Sequence, residues 1–256
     1  MRQFHAFVKK EFLEQLRSGK LLLCVILFCL FGIMNPAVAK LTPWMMEVMS
    51  EQLAESGMTV TAVEVTALTS WTQFFKNMPL MLIVFLILSS PNLTTEYQRG
   101  TLINVVTKGM RRWKIFLAKM GVMASVWTLG CLLSYLITYG YNAYFWDNSV
   151  AGHVAFAVFC FYLLGLWLIS VLGMASVFFN SPGAVMLAMG GAFGISYFLG
   201  LFPAVKEYVP SYLLESASLL AGVKAIGDYL PAVLITVALL ALQGFVSIIA
   251  FSKKNI

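Results

Sequence analysis

The chain has 256 residues, of which 60% are hydrophobic and only 11% charged. Soluble domains carry about 25% charged residues, so this composition excludes a soluble globule and points to a polytopic membrane protein. The net charge of +6 would suit nucleic acid, but the cations sit beside apolar runs, so we read them as a topology signal and expect no nucleic-acid partner.

Residues 1–20 carry Arg2, Lys9, Lys10, Arg17 and Lys20, with Phe4, Phe7, Val8, Phe12 and Leu16 near helical spacing. That pattern predicts an amphipathic helix lying in the membrane interface. Ala37-Val38-Ala39 has the small-residue form of a signal-peptidase site. The long leader with Glu11 and Glu14 argues instead for a retained segment.

Six apolar runs then approach the ~20 residues that a helix needs to cross the hydrocarbon. They span roughly 21–39, 72–92, 115–140, 153–179, 183–203 and 230–251. The second is the weakest, its purely apolar core running only from Met78 to Leu88. The runs are continuous rather than alternating, which selects helices over barrel strands. Residues 40–71 hold an acidic stretch, Glu47 to Glu64, long enough for one or two short surface helices. Residues 204–229 alternate apolar pairs with small and charged residues, as a re-entrant or interfacial helix pair would. The expected fold is a single all-α transmembrane domain over residues 1–256.

Orientation follows from Lys and Arg. The leader, the 96–119 segment and the tail (Lys253, Lys254) hold most of the cations. The opposite loops hold Lys40, Lys76, Lys206 and Lys224 beside Glu47, Glu51, Glu55, Glu64, Asp147, Glu207, Glu215 and Asp228. The expected arrangement is a multi-pass protein of the plasma (inner) membrane with both termini cytosolic.

No catalytic constellation stands out. His5 and His153 lie far apart, each at the end of an apolar run, and we read both as structural. Cys24, Cys29, Cys131 and Cys160 sit inside apolar runs and read as small buried hydrophobes rather than a metal or disulfide set. There is no H-E-x-x-H, no G-x-S-x-G and no G-x-x-x-x-G-K-[ST], so ATP binding through a Walker A loop is excluded. The last three spans contain no Asp, Glu, Lys or Arg, and the third contains only Lys119. Ion-coupled carriers use such buried charges, so the driving energy is expected from another subunit. Trp44, Trp71, Trp113, Trp127, Trp146 and Trp167 read mostly as an interfacial belt. The sequon Asn92-Leu93-Thr94 falls on the cytosolic side and is discounted.

The most informative segment lies between the second and third spans. It reads Thr94-Thr95-Glu96-Tyr97-Gln98-Arg99-Gly100-Thr101-Leu102, followed by Lys108, Arg111, Arg112, Lys114 and Lys119. Thr94 or Thr95 can cap a helix start with Glu96 in its first turn. Gly100 allows a sharp turn or close backbone approach. The arginines can meet carboxylates on a partner, or anionic membrane lipid heads.

Glu96-x-x-x-Gly100-Thr101 followed by cations and Lys119 resembles the coupling-helix region of ABC-2 type ABC-transporter permeases. Lys9-Lys10-Glu11-Phe12 with Arg17 and Lys20 resembles that family's N-terminal elbow helix. The six spans and the polar stretch before the last one extend the likeness over essentially the whole chain.

The resemblance implies a permease subunit that pairs with a second copy or a paralogue. It also implies that each permease sits on a separate ABC ATPase carrying ATP and Mg, with no cofactor bound by this chain. Glu96, Gly100 and Thr101 would then enter a cleft on the ATPase, flanked by Tyr97 and Arg99. The substrate path would lie between protomers, at the first span (Asn35, Pro36) and the fifth (Gly190, Gly194, Ser196, Tyr197). Gly190-x-x-x-Gly194 equally suits packing within one chain, and Asn35-Pro36 equally suits a helix end. The expected function is an ABC-2 type exporter of an amphipathic or apolar cargo: a peptide, a lipid-like molecule or a drug. The rival readings are an ion-gradient-driven carrier and a non-transporting scaffold or immunity protein.

Overall fold

The computed structural model describes residues 2–54, 65–107 and 109–254. Glu55, Glu64 and Lys108 lie outside them. The described residues form nine α-helices with short 3-10 stretches and no strand. These are α1 (Arg2–Arg17), α2 (Lys20–Ala54), α3 (Ala67–Ser89), α4 (Pro91–Arg99), α5 (Thr101–Thr107), α6 (Arg112–Phe145), α7 (Val154–Phe178), α8 (Pro182–Leu199) and α9 (Leu230–Lys253). Among the described residues, six helical stretches are long and apolar enough to cross a membrane: Lys20–Val48, Ala67–Arg99, Arg112–Phe145, Val154–Phe178, Pro182–Leu199 and Ile226–Lys253.

The first span departs most from expectation. It does not stop near residue 39; α2 continues to Ala54 through Pro36 and Pro43. The predicted surface helices of the 40–71 stretch therefore become, as far as Ala54, an extension of the span. Proline has no N–H, so Pro36 deprives the Gly32 carbonyl of its helical donor. Thr138 of α6 supplies the missing one: its fully buried hydroxyl donates to Gly32 O at 3.0 Å. A neighbouring helix thus keeps the interrupted helix continuous, as membrane proteins allow.

The weak hydropathy of the second span also has a structural reason. α3 is an interior helix, with Trp71, Phe74, Met78, Met81, Leu82, Phe85 and Leu86 buried against its neighbours. Two of its polar groups also bond across the bundle: Asn77 Nδ2 donates to Asn35 Oδ1 at 2.8 Å, and Trp71 Nε1 donates to Asn148 Oδ1 at 3.1 Å. Its exposed face, Leu80, Ile83 and Ile87, is apolar, so the polar residues fall mainly where neighbouring helices can meet them.

The core centres on Trp127 of α6, whose ring lies 5.9 Å from Phe28, 5.3 Å from Phe85 and 6.3 Å from Phe161. Two glycines make room for it. A Cβ at Gly130 would fall 2.3 Å from the Phe28 ring, and one at Gly165 would fall 2.4 Å from the Trp127 ring. Small residues permit such close helix approach in membranes. Trp71 and Trp127 are fully buried and Trp167 nearly so, while Trp44 is exposed. The expected tryptophan belt is therefore half core.

α8 is packed differently. Ser181 caps its start by accepting from Ala184 N at 3.2 Å, and Pro182 opens its first turn, where a missing N–H costs nothing. Only 17% of its most apolar window is buried, against 56% for α7. Residues 204–229, expected as a helix pair, fold as three 3-10 stretches, 206–208, 210–219 and 226–229. Tyr212 and Tyr229 stack there at 4.8 Å, and Leu213 and Leu219 are fully buried.

Candidate functional site

The 94–119 segment folds as two short helices and a turn. Ser90-Pro91 starts α4, so Thr94 and Thr95 lie inside the helix rather than capping it. Thr94 Oγ1 instead donates back to Ser90 O at 3.3 Å. Gly100 ends α4 at φ +65°, with its N–H on Tyr97 O at 3.2 Å. That left-handed conformation is what glycine supplies at a helix C-terminus. A Cβ there would meet only Ile103, at 3.9 Å, so the turn, not close approach, explains the residue. α5 then runs back as far as Thr107.

This hairpin divides the five sequence-predicted contact residues. Arg99 and Thr101 are exposed at its tip, beside Gln98 and a half-exposed Ile103. Glu96 and Tyr97 turn inward. Leu93, Glu96, Tyr97 and Gly100 share one helical face, and that face meets the bundle.

Glu96 enters an ion cluster. Lys119 of α6, 3% exposed, lies 2.7 Å from Glu11 Oε2 and 3.0 Å from Glu96 Oε2. The first contact is an aligned hydrogen bond; the second is an ion-pair contact without that alignment. Lys119 also donates to Asn92 O at 3.3 Å. Lys10 reaches Glu14 at 2.7 Å, Glu11 at 3.0 Å and Glu96 at 3.3 Å. Burial disfavours the Lys10 charge, but the Glu14, Glu11 and Glu96 carboxylates outweigh it and hold the ammonium above its usual range. Burial likewise pushes the Glu14 carboxyl up, and Lys10 more than reverses this, leaving it below its usual range. A cleft of about 690 Å³ opens beside the cluster, lined in part by Gln15, Lys20, Thr95 and Arg99.

The cluster joins α1, α4 and α6. The inner face of α1 carries Phe7 and Glu11, both buried, and Glu11 is the acid that meets Lys119. Both residues stand out in the sequence, but pattern alone gives neither a role. The available signal is a lone lysine one turn inside an apolar helix, which needs a counter-ion. Glu11, Glu14 and Glu96 bring oxygens within 4.8 Å of one another. Lys10 and Lys119 between them pair with all three of these carboxylates.

Tyr97 and Gln98 tie α4 to other elements as well. The Tyr97 ring lies 6.1 Å from Phe251 of α9, and Lys254 Nζ sits over it at 4.0 Å. Gln98 Nε2 donates to Asn180 O, in the turn between α7 and α8, at 3.0 Å.

The residues predicted to line a path or dimer interface also divide. Asn35 and Pro36 are buried within the chain, Asn35 by its bond to Asn77. Ser196 holds the 210–219 stretch, accepting from Ser211 N at 3.0 Å and from Ser211 Oγ through its carbonyl at 2.8 Å. Gly190, Gly194 and Tyr197 face outward. A Cβ at either glycine would meet nothing within 4 Å, so packing inside the chain does not explain that pair.

The profile of the family described as "ABC-2 family transporter protein" matches residues 5–231. No curated protein matches the chain. With six membrane-length apolar helices and a family match over most of its length, the chain belongs to the ABC-2 transporter family and is a multi-pass membrane permease subunit of an ABC transporter.

Proposed function

We propose that this permease is the membrane half of an ATP-driven exporter, with its α4–α5 hairpin docked on a separate ATPase. The single observation that carries this reading is the division of the hairpin. Arg99 and Thr101 form an exposed tip on either side of Gly100, while Glu96 and Tyr97, one turn back, are fastened to three other helices, α1, α6 and α9. A tip that is free outside and fastened inside suits the transfer of a push. ATP-driven closure of two ATPases would press on Arg99 and Thr101. α4 would move as a unit, with α1 and α6 following through Lys119.

Both chain ends and the hairpin are assigned to the cytosolic side, because Lys and Arg concentrate there. Two copies, or this chain and a paralogue, would pair through α8, whose Gly190 and Gly194 leave room for another helix. The exposed stripe Ile26, Leu30, Ile33, Leu41 and Trp44 of α2 would line the path or meet lipid. Cargo would be amphipathic or apolar, because these faces are apolar apart from the exposed Lys40 towards the outer end of the α2 stripe.

The test is transport in vesicles holding the permease and the ATPase that purifies with it. ATP-dependent movement of a fluorescent phospholipid analogue or an amphipathic peptide is expected. Movement of small hydrophilic solutes only would overturn the cargo class. Transport without ATP that collapses with ionophores would overturn the ATP-driven reading in favour of an ion-coupled carrier.

A further inference from the structure

Lys254 follows the end of α9 in extended conformation, and the mechanism above makes no use of it. Its ammonium has three partners in three places. It donates to Val177 O at 2.8 Å, in the last turn of α7. It donates to Asn180 Oδ1 at 2.8 Å, in the turn before α8. It also sits 4.0 Å over the face of Tyr97 on α4. Its own carbonyl accepts from Arg112 Nη1 at the start of α6. Among the described residues no carboxylate forms an ion pair with it.

The circuit closes on itself. Gln98, the residue after Tyr97, donates to the carbonyl of the same Asn180 whose side chain receives Lys254. Tyr97, Lys254, Asn180 and Gln98 thus form a ring that links α4 to the α7–α8 turn and to the end of α9.

We infer that Lys254 is a positioning residue that locks α4 to the start of α8, so that α8 follows the hairpin when the ATPase moves it. This rests on the reading that the hairpin docks an ATPase. It adds a second joint, through Tyr97 and Gln98 rather than Glu96. The Lys119 cluster carries motion to α1 and α6, and the Lys254 ring carries it to the helix with the free Gly190–Gly194 face.

A lysine that merely caps the last carbonyls of α7 would make two of these contacts. The Tyr97 face is the third, and it favours a cation. The variants Lys254→Gln and Lys254→Arg separate the two roles. Glutamine keeps a donor for the carbonyls and loses the charge, whereas arginine keeps both.

The experiment is a pulsed electron–electron distance measurement between spin labels at Ile103→Cys and Gly183→Cys, with the four native cysteines replaced. The protein is studied in nanodiscs alone, and then in complex with its co-purifying ATPase with and without a non-hydrolysable ATP analogue. Gly183 is exposed, and a Cβ there meets nothing within 4 Å. In the permease alone, the native residue and Lys254→Arg are expected to give one narrow distance. Lys254→Gln and, independently, Tyr97→Leu are expected to broaden it. In the complex, nucleotide should leave the native distance narrow and shift the Lys254→Gln distance. A narrow, unchanged distance in Lys254→Gln in every state would overturn the lock and leave simple capping. Failure of any ATPase to bind the unlabelled permease would overturn the docking reading, while the measurement on the permease alone would still decide the joint.

Discussion

Replacing Thr138 by valine removes one hydroxyl and keeps the side-chain shape. In the native chain it strands the Gly32 carbonyl, because Pro36 offers no N–H and Thr138 is its donor at 3.0 Å. Interhelical hydrogen bonds in membranes contribute about 0.6 kcal/mol on average and about 1.7 at most. A buried acceptor left unsatisfied costs about 1–3 kcal/mol. Thr138 is fully buried, so a loss of about 1–2 kcal/mol is expected. The same replacement in a Pro36→Ala background should cost little, because an alanine at that position restores the N–H that Gly32 O lacks. The double-mutant cycle should therefore show coupling of about 1 kcal/mol between residues on different helices. Equilibrium unfolding in mixed micelles, followed by tryptophan fluorescence, reads it. Equal costs in the two backgrounds would refute the idea that Thr138 substitutes for the missing donor.

Three further outcomes follow from the same geometry. Lys119→Met leaves the buried Glu11 and half-buried Glu96 with only Lys10 as counter-ion and should cost about 3 kcal/mol in the same assay, with Glu11→Gln and Glu96→Gln added together recovering much of it. Gly165→Leu should block folding, because its Cβ already falls 2.4 Å from the Trp127 ring; Gly194→Leu should leave folding intact and weaken self-association measured by crosslinking. Stability should fall in acid, because the Glu14 and Glu215 carboxyls are each held below the ordinary 4.5. For Glu215, burial pushes the carboxyl up and the hydrogen bonds and charges of Lys206 and Lys224 more than offset it. A carboxyl depressed in the folded state stabilises fully above its ordinary value and stops doing so as pH falls through its folded one. Melting measured between pH 3 and 6 should drop below about pH 4.5, and Glu14→Gln with Glu215→Gln should flatten that limb.

Much of this architecture is legible in the sequence, because the bilayer imposes length. Continuous apolar runs beginning at Leu21, Ile115, His153 and Leu230 give helices whose starts fall within a few residues of those positions. Partner-dependent features are not legible. Pro36 reads locally as a break, and the donor that satisfies Gly32 O, Thr138, lies about a hundred residues away. The Gly190–Gly194 pair fits a known packing pattern, yet the glycines that admit aromatic rings are Gly130 and Gly165, which form no motif. The Glu96–Thr101 segment stands out by pattern. That Glu96 faces Lys119 while Arg99 faces outward depends on where α1 and α6 lie, and neither position is encoded in the segment itself.

The measurement that tests the central claim most directly is purification of the tagged permease from its native membrane in mild detergent, with identification of what accompanies it. The account predicts a stoichiometric soluble subunit carrying a Walker A motif. It should be lost when Arg99→Glu is combined with Gly100→Val, while the permease still reaches the membrane. Recovery of the permease without such a subunit, from membranes that still transport, would contradict it.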